Sequence, residues 1–177
     1  MKLNLGCGQN KQAGYVNTDR EPAVQPDVVM DLEKFPWPFE DDSVEEVLAF
    51  HVLEHVGATP ELFIRIMQEL YRVCRKGATV RIAVPHPRHD NFFDDPTHVR
   101  AITPMTLELF SRENCEKWKA AGASNSPLAL YAGVDFALRA WNVKVVDKYK
   151  DHSNLEEMLE NWNNIATEYR MVLEVIK

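Results

Sequence analysis

The sequence lacks an excess of positive charge. Its 177 residues hold 20 lysines and arginines against 27 aspartates and glutamates, a formal net charge of −7. Nucleic-acid binding draws much of its strength from neutralised phosphates, so DNA and RNA are disfavoured as substrates. A run of roughly 20 apolar residues, the length of a membrane span, is also missing. The opening Met1-Lys-Leu-Asn-Leu-Gly6 meets a glycine before a leader-like apolar stretch can form. A soluble, cytoplasmic protein without membrane contact is the expectation. Cysteine is scarce, and Cys7, Cys74 and Cys115 show no paired spacing. That argues against a disulfide framework and for reduced thiols. Internal repeats and low-complexity tracts are absent too. What is there, 45% hydrophobic and 27% charged residues, suits one well-cored domain over residues 1–177 and is short for two.

Short apolar runs broken by glycine and proline set the order of elements. Strands are expected at residues 2–5, 15–19, 27–32 and 44–51. The two prolines of Phe35-Pro-Trp-Pro-Phe39 keep that stretch irregular. The clearest helix opens with Thr59 as cap and Pro60 and Glu61 in its first turn. Leu62, Ile66, Leu70 and Cys74 recur every four residues, with Phe63, Met67 and Tyr71 beside them, giving one apolar face. Arg72, Arg75 and Lys76 fall near its end, and Gly77 is expected to stop it. A strand at 78–84, a long polar loop at 86–103 and one helix at 104–121 follow. A strand at 134–148, a helix at 154–163 and a last strand at 168–176 complete the chain. Phe110, Trp118 and Trp162 are expected to pack inside. Strands alternating with helices indicate an α/β protein with a mostly parallel sheet.

Three clusters carry chemistry. Leu-Asn-Leu-Gly-Cys-Gly at residues 3–8 ends a strand with glycines, which turn the chain sharply and let a ligand approach the backbone. Asp19, one strand later, can accept from both hydroxyls of a ribose. The third glycine of a dinucleotide fingerprint is missing, since Lys11 stands in its place. Asp31 and Leu32 can bond a purine amino group and pack on its face. His51-Val-Leu-Glu54-His55 matches the His-x-x-Glu-His of zinc peptidases. It follows a strand directly, however, and leads within four residues to Thr59-Pro60, with no third ligand evident. A milder reading has His51, Glu54 and His55 hold a metal that helps an acceptor hydroxyl ionise. Finally, residues 86–100 crowd three histidines, three aspartates and two arginines at a strand end, where open α/β sheets bind ligands. An acceptor-binding lid competes there with a plain solvated loop of Asp–Arg pairs.

Taken in order, these pieces resemble class I S-adenosylmethionine-dependent methyltransferases of the type 11 pattern. The likeness runs through Leu-Asn-Leu-Gly-Cys-Gly, Val-Asn-Thr-Asp19, Asp31-Leu32, Phe-Pro-Trp-Pro-Phe-Glu-Asp-Asp-Ser-Val, His-Val-Leu-Glu-His-Val and Val-Arg-Ile-Ala-Val-Pro85, near-continuous from residue 3 to 85. It implies a Rossmann-like fold, a mostly parallel seven-stranded sheet with helices on both faces. It also implies S-adenosylmethionine as cofactor, with Leu5, Gly6, Cys7 and Gly8 around its methionine part. Asp19 would then hold the ribose, Asp31 and Leu32 the adenine, and His51 would border the cofactor beside the acceptor. Met1 lies so near the first strand that the covering N-terminal helix of larger members is expected to be missing. The sulfonium methyl is already activated, so transfer to oxygen or nitrogen is a direct displacement. A hydroxyl acceptor also needs a base, for which His98 or His89, and less readily His55, are candidates. No metal is expected as part of that site. The (Asp/Asn)-Pro-Pro-aromatic motif of nucleic-acid amino-methylating members is replaced by His-Val-Leu-Glu-His, and no cysteine follows proline. A small-molecule or sugar-containing acceptor is therefore expected, and a homo-oligomer is left open. The rivals are a non-catalytic binding module for S-adenosylmethionine or a nucleotide, a nicotinamide-dependent oxidoreductase, and a metal-dependent enzyme built on His51, Glu54 and His55.

Overall fold

A computed structural model describes all 177 residues. Seven strands form one sheet: β1 (Lys2–Leu5), β2 (Val16–Asp19), β3 (Val28–Val29), β4 (Val44–Phe50), β5 (Cys74–Pro85), β6 (Phe136–Val145) and β7 (Ala166–Val175). Their order is β3-β2-β1-β4-β5-β7-β6. β1 to β5 run parallel, while β7 lies antiparallel between β5 and β6. The chain leaves β1 for β2 on one side and later returns to place β4 on the other. That reversal puts a crevice at the carboxyl ends of β1 and β4.

The main core lies on one side of the sheet. Leu3, Val47, Ala49, Val80, Ile82, Met171 and Leu173 are buried there with the long helix α1 (Pro60–Val73), which contributes Phe63, Ile66, Met67, Leu70 and Val73. The Thr59 hydroxyl accepts from the Leu62 amide at 3.3 Å and starts that helix. Residues of opposite parity fill the other side with charge. Glu46 bridges Lys2 and Arg81, each at 2.9 Å, and Arg139 pairs with Glu174 at 2.6 Å. The crossovers from β1 to β2 and from β2 to β3 contain no α-helix.

Several elements differ from expectation. Gly77 does not stop α1. The helix ends at Val73, and Cys74 pairs with Val44 as the first residue of a twelve-residue β5. Gly77 (φ 74°) falls where the register shifts, so its left-handed backbone serves a bulge. Arg75 and Lys76 accordingly belong to the strand. The stretch 104–121 is two helices, α3 (Pro104–Glu108) and α4 (Arg112–Ala120), after a short α2 (Asp90–Phe93) inside the polar loop. Ser111 restarts the chain by accepting from the Asn114 amide at 3.3 Å. Between the two helices Phe110 is fully buried, and its carbonyl accepts from Phe136. α5 (Leu128–Ala132) was not foreseen, and α6 (Leu155–Asn161) is shorter than expected. β3 keeps only two residues, and Trp162, expected inside, is 58% exposed. The three cysteines are free and buried.

Candidate active site

A cavity of about 250 Å³ opens at the crevice beyond β1, β2 and β4. Gly6 bends into it at φ 59°, and a Cβ there would meet Cγ2 of Val52 at 2.5 Å, so backbone and neighbour both require glycine. The Gly8 amide lies behind the rim and donates to Asp19 Oδ2 at 2.8 Å, while Asp19 Oδ1 accepts from the Glu21 amide at 2.9 Å. Each carboxylate oxygen keeps a second lone pair for a ligand. Asp31 and Leu32 line the same cavity. Asp31 Oδ1 accepts from the Glu33 amide at 3.0 Å, and the Trp37 indole donates to the Leu32 carbonyl at 3.1 Å. Of the residues expected around the cofactor, the structure gathers Gly6, Asp19, Asp31, Leu32 and His51 on this wall. Leu5, Cys7 and Gly8 support it from behind and do not line it. Met30, Val52 and Val56, which add an apolar bed, looked in sequence like any other core residues.

His51 follows β4 with φ 53°, a conformation costing a non-glycine residue roughly 1 kcal/mol or more. Its Nδ1 stands 3.4 Å from Glu54 Oε1 and its Nε2 3.2 Å from Glu168 Oε2. Glu54 chiefly, with Glu168, raises the His51 pKa against the opposing effect of burial. Burial alone would push Glu168 up, but Arg170, Lys144 and His51 outweigh it and hold the carboxyl low. His51 and His55 do not share a helical face. Leu53–His55 is a single 3-10 turn, so the zinc-peptidase arrangement is not formed.

A second cavity of about 520 Å³ shares His51 and His55 with the first and adds Glu54, Asp95, His98 and Lys144. Backbone bonds bring His98 there: the amides of Val99 and Arg100 both donate to the Glu54 carbonyl, at 2.8 and 3.3 Å. Arg100 Nη2 adds a bond to the Gly57 carbonyl at 2.8 Å. The Thr97 hydroxyl donates to Asp95 at 2.6 Å, so at its 2.9 Å contact with His55 Nδ1 it accepts. His98 Nδ1 donates to the Phe92 carbonyl at 2.8 Å. In both rings Nδ1 is therefore the donor, so the neutral tautomer these contacts select has its lone pair on Nε2. His89 caps α2, its Nδ1 accepting from the Asn91 amide at 3.2 Å, and lines neither cavity.

Residues 3–82 match the family model described as "Methyltransferase domain". That match spans 80 of the 177 residues, and the sheet order is that of the class I methyltransferase fold. Across its whole length the chain is similar to solved structures of that fold. An S-adenosylmethionine-dependent methyltransferase from Archaeoglobus fulgidus matches at TM-score 0.65 and 17% identity, over 98% of this chain and 85% of the other. A putative methyltransferase from Haloferax volcanii, in complex with the Trm112 activator, matches at 0.55 and 15%, over 99% and 82%. The [4+2]-cyclase SpnF matches at 0.57 and 13%, over 99% and 75%, so the fold alone does not fix the reaction. Among curated proteins none matches by sequence. S-adenosylmethionine, the expected cofactor, carries a cationic sulfonium and no phosphate. The first cavity suits it: three carboxylates, Asp19, Asp31 and Glu33, line it against Arg20 and the raised-pKa His51, an acidic balance that attracts positive charge.

Proposed function

We propose that this protein is a methyltransferase that moves a methyl group from S-adenosylmethionine to a hydroxyl of a small, sugar-containing acceptor. The observation that carries the reading is the shared wall, His51 and His55, between the acidic first cavity and the larger polar one. Asp19 would hold the ribose, Asp31 and Leu32 the adenine, and Gly6 the methionine part. When bound, the cofactor supplies a methyl group already activated for direct displacement. The chain's own tasks are to align the acceptor, exclude water and take up the acceptor's proton. Asn91, Asp95, Lys144, Asp147 and Glu168 surround the second cavity with donors and acceptors, a lining suited to a polyhydroxylated molecule. Of the three histidines considered as base, His55 and His98 line that cavity with a free Nε2. His55 is further oriented by the Thr97–Asp95 chain.

The test is turnover on a panel of sugar-containing acceptors, read as a mass gain of one methyl. His55→Ala and His98→Ala are each expected to lower kcat by ~10²-fold or more while cofactor binding survives. Unchanged rates in both variants would remove these histidines from the reaction. Cofactor binding without turnover on any acceptor would favour a non-catalytic binding module instead.

A further inference from the structure

We infer that Glu54, His55 and His98 form a binding site for one divalent first-row transition cation in the wall of the second cavity. One ring nitrogen from each histidine and one Glu54 carboxylate oxygen lie within 4.8 Å of one another. Independently, the Glu54 carboxylate has no hydrogen-bond partner on either oxygen, although its side chain is only 1% exposed. Native structures rarely leave a buried carboxylate without a hydrogen bond. Its one ion-pair contact is His51 Nδ1, 3.4 Å from Oε1, and that ring is shared with Glu168.

The histidines are prepared in the way metal ligands are. Each spends its Nδ1 proton on an oxygen behind it, Thr97 for His55 and Phe92 for His98, which orients the ring and leaves Nε2 to ligate. The amides of Val99 and Arg100 on the Glu54 carbonyl tie the loop segment to the turn. The cluster is therefore joined by backbone as well as by proximity. Two imidazoles and one carboxylate favour zinc, iron(II), cobalt(II) or manganese(II) over magnesium or calcium, whose preferred ligands are all oxygen. The set differs from the one expected in sequence, His98 taking the place of His51.

The cation site stands without any assumption about the reaction. Its use, lowering the pKa of an acceptor hydroxyl so that the proton passes to water as the methyl group is transferred, rests on the methyl-transfer reading, and there the two histidines act through the cation in place of the base role.

The experiment is titration of chelator-stripped protein with cobalt(II), followed by calorimetry and visible absorption. S-adenosylmethionine binding is measured on the same samples. The wild type is expected to take up one cobalt with ligand-field bands. Glu54→Gln and His98→Ala should weaken uptake by more than the roughly 10–100-fold typical of losing an outer-shell partner. His152→Ala, remote and exposed, should bind as the wild type does, and circular dichroism checks that every variant is folded. Stoichiometric cobalt lost in the two site variants supports the inference whether or not S-adenosylmethionine binds. No stoichiometric uptake by the wild type, or equal uptake by folded Glu54→Gln and His98→Ala, overturns it. Retained cofactor binding in that case leaves methyl transfer standing, with His55 and His98 as bases.

Discussion

Glu46 shows what a single side chain does on the charged side of the sheet. Lys2, and next Arg81, bond its carboxylate and hold the pKa at about 2 instead of 4.5. Folding therefore favours the ionised form. The stabilisation is fully present above the ordinary value and lost as the pH falls through about 2. Because both cations are substantially exposed, solvent screening limits the gain to about 1 kcal/mol. Glu46→Gln should be less stable than the wild type by that amount near neutral pH, with the gap closing below about pH 3. Urea unfolding across a pH series measures it, and a gap independent of pH would refute the assignment.

Among elements, the irregular Phe35–Phe39 stretch is held by one arginine at the end of α1. Arg72 donates to the carbonyls of Trp37 and Phe39 and pairs with Asp41 and Glu69, while Glu69 also accepts from the Trp37 amide. Glu69 is buried. Arg72→Ala would leave that carboxylate unpaired, at a cost of about 3 kcal/mol, and should lower Tm by roughly 6–12 °C. A calorimetric scan checks this, and a shift below 2 °C would show the clamp to be dispensable. The same region shows what sequence could and could not say. Thr59, Pro60 and the fourfold apolar spacing marked the start and face of α1. Its end was misplaced at Gly77 because a local stop signal was outweighed by the pairing of Cys74 with Val44, which lies thirty residues away. Gly6, Asp19, Asp31 and Leu32 stood out because apolar runs put them at or just past strand ends and their order resembles a known family; the first cavity gathers all four. The isolation of the Glu54 carboxylate was not, since it depends on what surrounds the side chain. Likewise, nothing local distinguishes His98, which reaches the cavity, from His89, which caps α2.

At the scale of the whole molecule, fold class and strand pattern followed from the alternation of apolar runs. The unequal dressing of the two faces did not, because no local signal says which face a crossover covers. No helix is long and apolar enough to cross a membrane. A ligand that binds only the folded state stabilises all of it. S-adenosylhomocysteine at a hundred times its Kd should add about 2.7 kcal/mol and raise Tm by roughly 5–10 °C. A thermal melt unmoved by saturating S-adenosylhomocysteine would count against the first cavity as the cofactor site.

The position of β7 bears on how the molecule is made. It is the last strand in chain order, yet it lies inside the sheet between β5 and β6. During synthesis, β5 and β6 must therefore wait with facing edges unpaired until residues 166–175 emerge. Free strand edges recruit other chains, so a ribosome stalled before Ala166 would release a product prone to aggregate. The sheet closes only when its last strand has been delivered.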